Sequence, residues 1–231
     1  MNKAAEQFAI YLLQDDFFGK FKLRKNDSSI INKLQAGYEK VELQNWIDTN
    51  YSSGEKELVI HPVYLKRCNI LHKWFEQFSL KSISDQRDAY SIGFDGGMLG
   101  KKNEYHFSIS ENFCSEWETV RSDIVTNARS VFKKYTGLAD LYNYLVYPVI
   151  TGEKSPPDVG ADWVFEYLLL TKIVDKKNYN RAKKVILNRV EEMHNRGEPN
   201  IERYYDNLEK ILLFLEQCAP GSDTVLNCTE E

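Results

Sequence analysis

The chain has 231 residues but only four cysteines and four histidines. Cys68, Cys114, Cys218 and Cys228 form no C-x-x-C pair and share no zinc-type spacing with the histidines, so a reducing compartment fits best. His61, His72, His106 and His194 never fall within one helical turn of each other, and H-E-x-x-H is absent, so no metal and no cofactor are expected. G-x-S-x-G and Gly-Lys-Ser/Thr are missing too, which removes the hydrolase nucleophile elbow and the phosphate loop. The longest strongly apolar stretch, Trp163 to Val174, is broken by Glu166 and Lys172, and it falls short of the roughly 20 residues a membrane span needs. No membrane is expected as a partner. An apolar leader is also lacking, because Glu6, Gln7, Gln14, Asp15 and Asp16 interrupt the first segment, so a cytoplasmic location is expected. Positive charge is not in excess either: the net charge is −4, and affinity for a phosphate backbone comes mainly from Lys and Arg, so nucleic acid is not an expected partner. The local strips Lys20, Lys22, Arg24, Lys25 and Lys176, Lys177, Arg181, Lys183, Lys184 read as solvated faces and edge protection.

What is present is apolar material for a core. At 42% hydrophobic and 28% charged the chain lies inside the globular class, as one domain or two intimately packed subdomains. Phe8, Tyr11, Leu12 and Phe18 mark a helix over residues 4–18. Phe21 and Leu23 alternate with Lys20, Lys22 and Arg24 as a half-buried strand. Ser28 to Gln35 suits a helical face through Ile30, Ile31 and Leu34 and equally suits the return arm of a hairpin, with the strand preferred. Val41 and Leu43 alternate with Lys40, Glu42 and Gln44 as in an antiparallel sheet with one solvated face. Lys56 to Val63 is the next strand, which Pro62 ends or places at an edge. A helix through Cys68, Leu71, Phe75 and Phe78 follows, then strands at Tyr90–Phe94 and Tyr105–Ile109, joined as a hairpin across the Gly-rich segment from Asp95 to Asn103.

After Ser110 the apolar rhythm changes from every second residue to every third or fourth. Helices are expected at Ser115–Tyr135, at Thr136–Tyr147 with Pro148 as its stop, at Ala161–Val174, at Asn178–Arg196, and after an Asn200 cap. The fold class is therefore α+β: an antiparallel sheet of about five strands with flanking helices in the first half, and a helical bundle-like second half. A strand-rich subdomain is expected over residues 1–150, a helical one over 151–217 beyond the Pro-rich loop, and a disordered polar tail over 218–231.

Two sets of residues are candidates for function. Tyr64, Arg67 and Trp74, with Phe75, fall within about three helical turns, and Trp, Tyr and Arg dominate protein-contact hot spots, so they are candidate partner-binding residues, with core packing as the plainer reading. Asp95, Glu104, His106 and His61 border the strands and form the alternative catalytic set, a general base and acid at one end of the sheet. The plainer reading of these is solvated turn residues. The glycines around Gly96 read as a turn, and Cys68 and Cys114 as inert core thiols. The favoured function is a non-catalytic protein-binding module of the bacterial cytoplasm, immunity-like or adaptor, with a protein partner. The alternative is a hydrolase or nuclease-like enzyme.

At Phe21-Lys22-Leu23-Arg24, Gly37-Tyr38-Glu39-Lys40-Val41-Glu42-Leu43 and Ile60-His61-Pro62-Val63-Tyr64 the order of elements resembles an uncharacterised family of small bacterial cytosolic proteins. The resemblance covers residues 1 to 135. It implies short antiparallel strands paired with flanking helices, and no known activity.

Overall fold

The computed structural model describes residues 3–75, 78–79, 81–108, 114–157, 162–198 and 201–217. The expected tail over 218–231 and the rhythm change at Ser110 lie outside the described residues. The fold is α+β, and the chain divides into two compact units: Met1–Arg67 with Ile92–Lys134, and Cys68–Ser91 with Tyr135–Glu231.

The first unit is built on an antiparallel sheet. Helix α1 (Lys3–Leu12) leads through a 3₁₀ turn at Asp16–Phe18 into β1 (Lys22–Arg24), β2 (Ser29–Leu34), β3 (Gly37–Thr49) and β4 (Lys56–Cys68). The order is β1-β2-β3-β4, and β4 then pairs on its far flank with two short strands, β5 (Ile92–Phe94) and β6 (Tyr105–Ser108). The preferred strand at Ser28–Gln35 is β2, with Ile30 opposite Val41. Two expectations fail at β4. Pro62 does not end the strand, which runs on to Cys68. Beta6 covers Glu57–Ile60 and β5 covers Tyr64–Lys66, so Pro62 falls in the interval where that flank of the ladder is interrupted and a missing N–H costs least. The expected hairpin between β5 and β6 is also absent: both pair with β4 and not with each other.

The core lies on one face of this sheet. Leu58, Ile60 and Tyr64 of β4 share that face with Phe107 and Tyr105, which stand opposite Leu58 and Ile60. Two helices cover it. Phe8 of α1 meets Phe107 at 5.8 Å between ring centroids. Helix α4 (Cys114–Lys134) buries Val120, Ile124, Ala128 and Val131 at helical spacing, and Asn127 on it donates to the Tyr64 hydroxyl at 3.4 Å. The opposite face is not evenly solvated. Lys40, expected to face water, is buried and its ammonium sits 2.6 Å from Asp27 and 2.8 Å from Glu42, because two carboxylates replace its hydration.

The second unit is helical. It contains α2 (Asn69–Phe75), α3 (Ile83–Asp88), α5 (Leu138–Leu141), α6 (Tyr147–Thr151), α7 (Asp162–Val174), α8 (Tyr179–Asn195) and α9 (Ile201–Gln217). Alpha7 is buried almost all round through Trp163, Val164, Phe165, Tyr167, Leu168, Leu169 and Leu170, as its unbroken apolar character predicts. Pro148 is not a stop. A π turn at Tyr142–Val146 resets the hydrogen bonding, so Pro148 enters the first turn of α6, where no N–H is required. The helix then ends at Gly152, with φ +85°. The boundary expected at residue 150 lies inside this unit, where α5 and the π turn pack on α7 and α6 packs on α8.

The connection from β5 to β6 is held by its own backbone: Leu99 and Lys101 N–H both reach Gly96 O, at 3.1 and 2.7 Å. A Cβ on Gly96 would stand 2.0 Å from Lys102 O. Gly96→Ala is therefore expected to destabilise by about 2 kcal/mol or more, whereas Gly100→Ala, at φ +65° with open space around it, should cost about 1 kcal/mol. Urea unfolding of both variants checks the order, and equal losses would mean that the approach of Gly96 to Lys102 is not what shapes the loop.

Candidate functional site

The β4–β6 register places Val59 opposite His106, so Glu57 and His61, two residues either side of Val59, share a face with His106. Glu104, just before β6, reaches both imidazoles: one carboxylate oxygen lies 3.7 Å from His61 Nδ1 and the other 3.8 Å from His106 Nε2. On its other side His106 Nδ1 stands 3.1 Å from Glu57. Asn50, which organises the β3–β4 turn through its backbone and side chain, donates to Glu57 at 2.6 Å. A row of alternating carboxylates and imidazoles results, with the Trp46 ring 6.5 Å from that of His61.

The structure therefore brings His61, Glu104 and His106 together and leaves Asp95 out. Asp95 caps its own turn by accepting from Met98 N–H at 2.8 Å. Chemically the row is limited. Separations of 3.7 and 3.8 Å are ion-pair distances rather than the hydrogen-bond reach that proton transfer needs. Among the described residues no group of three or more His, Cys, Asp or Glu is placed to hold a metal ion.

A second cluster, invisible to motif reading, lies in the second unit. Ser91 Oγ accepts from Cys68 N–H at 2.9 Å and lies 2.9 Å from His72 Nε2, with Glu166 3.5 Å from that same nitrogen. The residue types are those of a catalytic triad, but a triad needs the acid on the imidazole nitrogen that does not face the serine. Here both partners crowd Nε2, and His72 and Ser91 are buried, so the cluster joins α2 to α7 and does no chemistry that this geometry supports.

The candidate partner-binding residues are not a helical patch. Tyr64 and Arg67 belong to the continuation of β4 past Pro62, on opposite faces of the strand, and are only 1% and 8% exposed. Burial pushes the Tyr64 phenol well above its usual range. Trp74 lies in α2, and its side chain lies outside the described residues. Large apolar side chains face solvent in the first unit at Ile10, Leu34 and Met98 and, grouped at the far end of the β3–β4 hairpin, at Trp46, 41% exposed, and Ile47, 45% exposed, with Tyr51 in the turn. One sequence signal pointed there. Two adjacent apolar residues cannot both follow the alternation of a strand, so Trp46 and Ile47 must face opposite sides.

Fold and surface together define an α+β protein with a six-stranded antiparallel sheet, a row of imidazoles and carboxylates on one sheet face, and an apolar hairpin end. Among the described residues no helix is long and apolar enough to cross a membrane. In comparisons with known proteins, no family model, no curated protein and no solved structure matches the chain. The resemblance to small bacterial cytosolic proteins thus rests on element order alone.

Two outcomes follow from these placements. The Asn50 side chain, and after it His106, hold the Glu57 carboxyl below its usual range. A carboxylate lowered in the folded state stabilises above the unfolded value, about 4.3, and loses that contribution as pH falls through the folded one. Wild type is therefore expected to be more stable than Glu57→Gln at pH 7, with a smaller difference at pH 3. Urea melts at the two pH values check this, and an unchanged difference would assign the effect to shape rather than charge. Tyr64→Ala is expected to lower stability by about 3–5 kcal/mol as a core truncation, while Tyr64→Phe changes it by only about 1 kcal/mol.

Proposed function

We propose that this chain is a non-catalytic protein-binding module of the adaptor or immunity kind, working in the cytoplasm, which takes an extended segment of its partner onto the open edge of β3. The observation that carries the reading is where β2 stops. The β2–β3 register ends with Ser29 opposite Glu42, and Leu43 N–H makes the last bond, to Ser28 O at 3.1 Å. Beta3 continues to Thr49, and among the described residues no strand lies beside Gln44–Thr49 on that side. Because backbone groups alternate along a strand, Asn45 and Ile47 direct N–H and C=O to the same side as Leu43, where β2 is no longer present.

Exposed edges are normally protected by lysine, proline, a bulge or a covering element. Gln44-Asn45-Trp46-Ile47-Asp48-Thr49 has no lysine and no proline, a single charge, and five of its six residues exposed. A strand added there gains main-chain hydrogen bonds as affinity, and the side chains of Trp46 and Asp48 on one face and Ile47 on the other as specificity. The carboxylate–imidazole row favours a second reading, hydrolysis with Glu104 between His61 and His106. It ranks below the first because no contact in that trio is within proton-transfer reach.

Ile47→Pro removes an outward N–H without touching the side of β3 that faces β4. With the wild-type chain as bait, a captured partner is expected to slow amide hydrogen exchange at residues 45–49. Ile47→Pro and Trp46→Ala are each expected to weaken capture about tenfold or more, and Tyr64→Phe to leave it unchanged. Protection elsewhere, or full capture by Ile47→Pro, overturns the reading. Hydrolysis of ester or phosphodiester substrates that is lost in Glu104→Gln would favour the second reading instead.

A further inference from the structure

We infer that the second unit carries an anion site along α8 that takes a small molecule bearing two or more phosphoryl groups. Two clefts of about 510 and 650 Å³ lie against this helix and share Ser155, Pro156 and Val185 in their walls, so they form one continuous trough. Arg181, Lys184, Asn188, Arg189 and Arg196 line it at steps of three, four and seven residues or one, so they occupy a single helical face. The facing wall is the turn after α6, which adds Lys154.

The charge of the trough is opposite to that of the chain. Among the described residues its walls hold Lys154, Arg181, Lys184, Arg189 and Arg196 against two acids, Glu153 and Glu192, in a protein of net charge −4. Both acids are already engaged: Glu192 accepts from Arg189 Nη1 at 2.8 Å, and Glu153 from the Thr151 hydroxyl at 3.0 Å. Arg181, Lys184 and Arg196 are exposed and form no ion pair among the described residues, whereas Lys183, which does not line the trough, is paired with Glu216 at 2.9 Å. Arg189 is buried, a guanidinium in the trough wall rather than on the open surface. Arginine forks match phosphate oxygens in pairs.

Size selects the class of anion. Volumes of 510 and 650 Å³ lie within the range of small-molecule sites. Arg181 and Arg196 stand about 22 Å apart along the helix axis before their side chains reach inward, so a ligand that meets Arg181 and Lys184 at one end and Arg196 at the other must bear more than one anionic group, as a chain of phosphoryl groups does. A nucleic acid strand would need a longer basic track than this one helix face provides.

Tripolyphosphate is the probe. Calorimetry on the full chain in 100 mM NaCl is expected to show saturable binding to one site. Arg181→Gln with Arg196→Gln should weaken it about tenfold or more, since each removes a charge-assisted hydrogen bond, and Lys183→Gln should leave it unchanged. Circular dichroism and melting of each variant establish that both are folded, as expected of exposed side chains. Sulfate at matched ionic strength should bind at least about tenfold more weakly, because it carries a single tetrahedral anion. The proposal is overturned if the double variant binds as wild type does, if sulfate and tripolyphosphate bind equally, or if a 20-nucleotide single strand binds more tightly than tripolyphosphate through the same residues.

Discussion

The fold depends on the need of one long strand for partners on both flanks. Beta4 spans thirteen residues, most of them buried, and its buried N–H and C=O groups must be paired. Beta3 serves one flank. No single strand serves the other, so three residues of β5 and four of β6 divide it. Strands that short do not persist alone, and each exists because β3 already holds β4 in place. The chain therefore has to return to the first unit after leaving it at Arg67, which is why that unit is discontinuous in sequence. Alpha4 is the next described element after β6 and closes the core over Leu58, Ile60 and Tyr64, with Asn127 satisfying the one buried phenol on that face of β4.

Polar groups inside the first unit then pin what apolar pairing leaves loose. A one-residue slip of β2 against β3 would exchange the two faces of the strand. Lys40 opposes such a slip, because its buried ammonium is satisfied only where Asp27 and Glu42 both reach it. Removing both acids would leave the ammonium uncompensated in a site shielded from water, a larger penalty than the pairs contribute. Ser28, with φ 51°, turns the chain into β2, and its carbonyl takes the last bond from β3. The row of Glu104, His106 and Glu57 is different in kind. It sits on partly solvated side chains, where ion pairs contribute little and respond to pH, so it adjusts the hairpin rather than holding it.

Periodicity made many of the elements legible, since Val41 and Leu43 of β3 alternate with polar residues and α4 and α8 carry apolar stripes at helical spacing. The errors share one form: a single-residue rule overruled by the hydrogen bonding around that residue. Pro62 reads as a strand end, but its effect depends on whether a neighbour pairs at that point, and only β5 and β6 decide that. Pro148 reads as a helix stop, but the π turn before it shifts the bonding by one residue. Gly96 and Gly97 read correctly as a turn, yet turn chemistry does not reveal what the arms pair with. The early end given to β4 carried Tyr64 and Arg67 into a helix and produced a surface patch that the strand instead divides between two faces. His61, Glu104 and His106 converge because strand parity brings two of them to one face. Asp95, nine residues before Glu104, shared only a border position.

The two proposed surfaces rest on different forces, and this separates them physically. At the edge of β3 the interaction is made by neutral backbone groups and the rings of Trp46 and Ile47, so added salt strengthens its apolar part or leaves it alone. In the trough along α8 the interaction is between fixed cations and an anion, and at physiological ionic strength exposed charges are screened beyond about 8 Å. Arg181, Lys184 and Arg196 are exposed, so their share should fall steeply with salt. Buried Arg189 already donates to Glu192 and so adds little net charge for a ligand. Binding in the trough should therefore weaken with salt, while binding at the β3 edge should not.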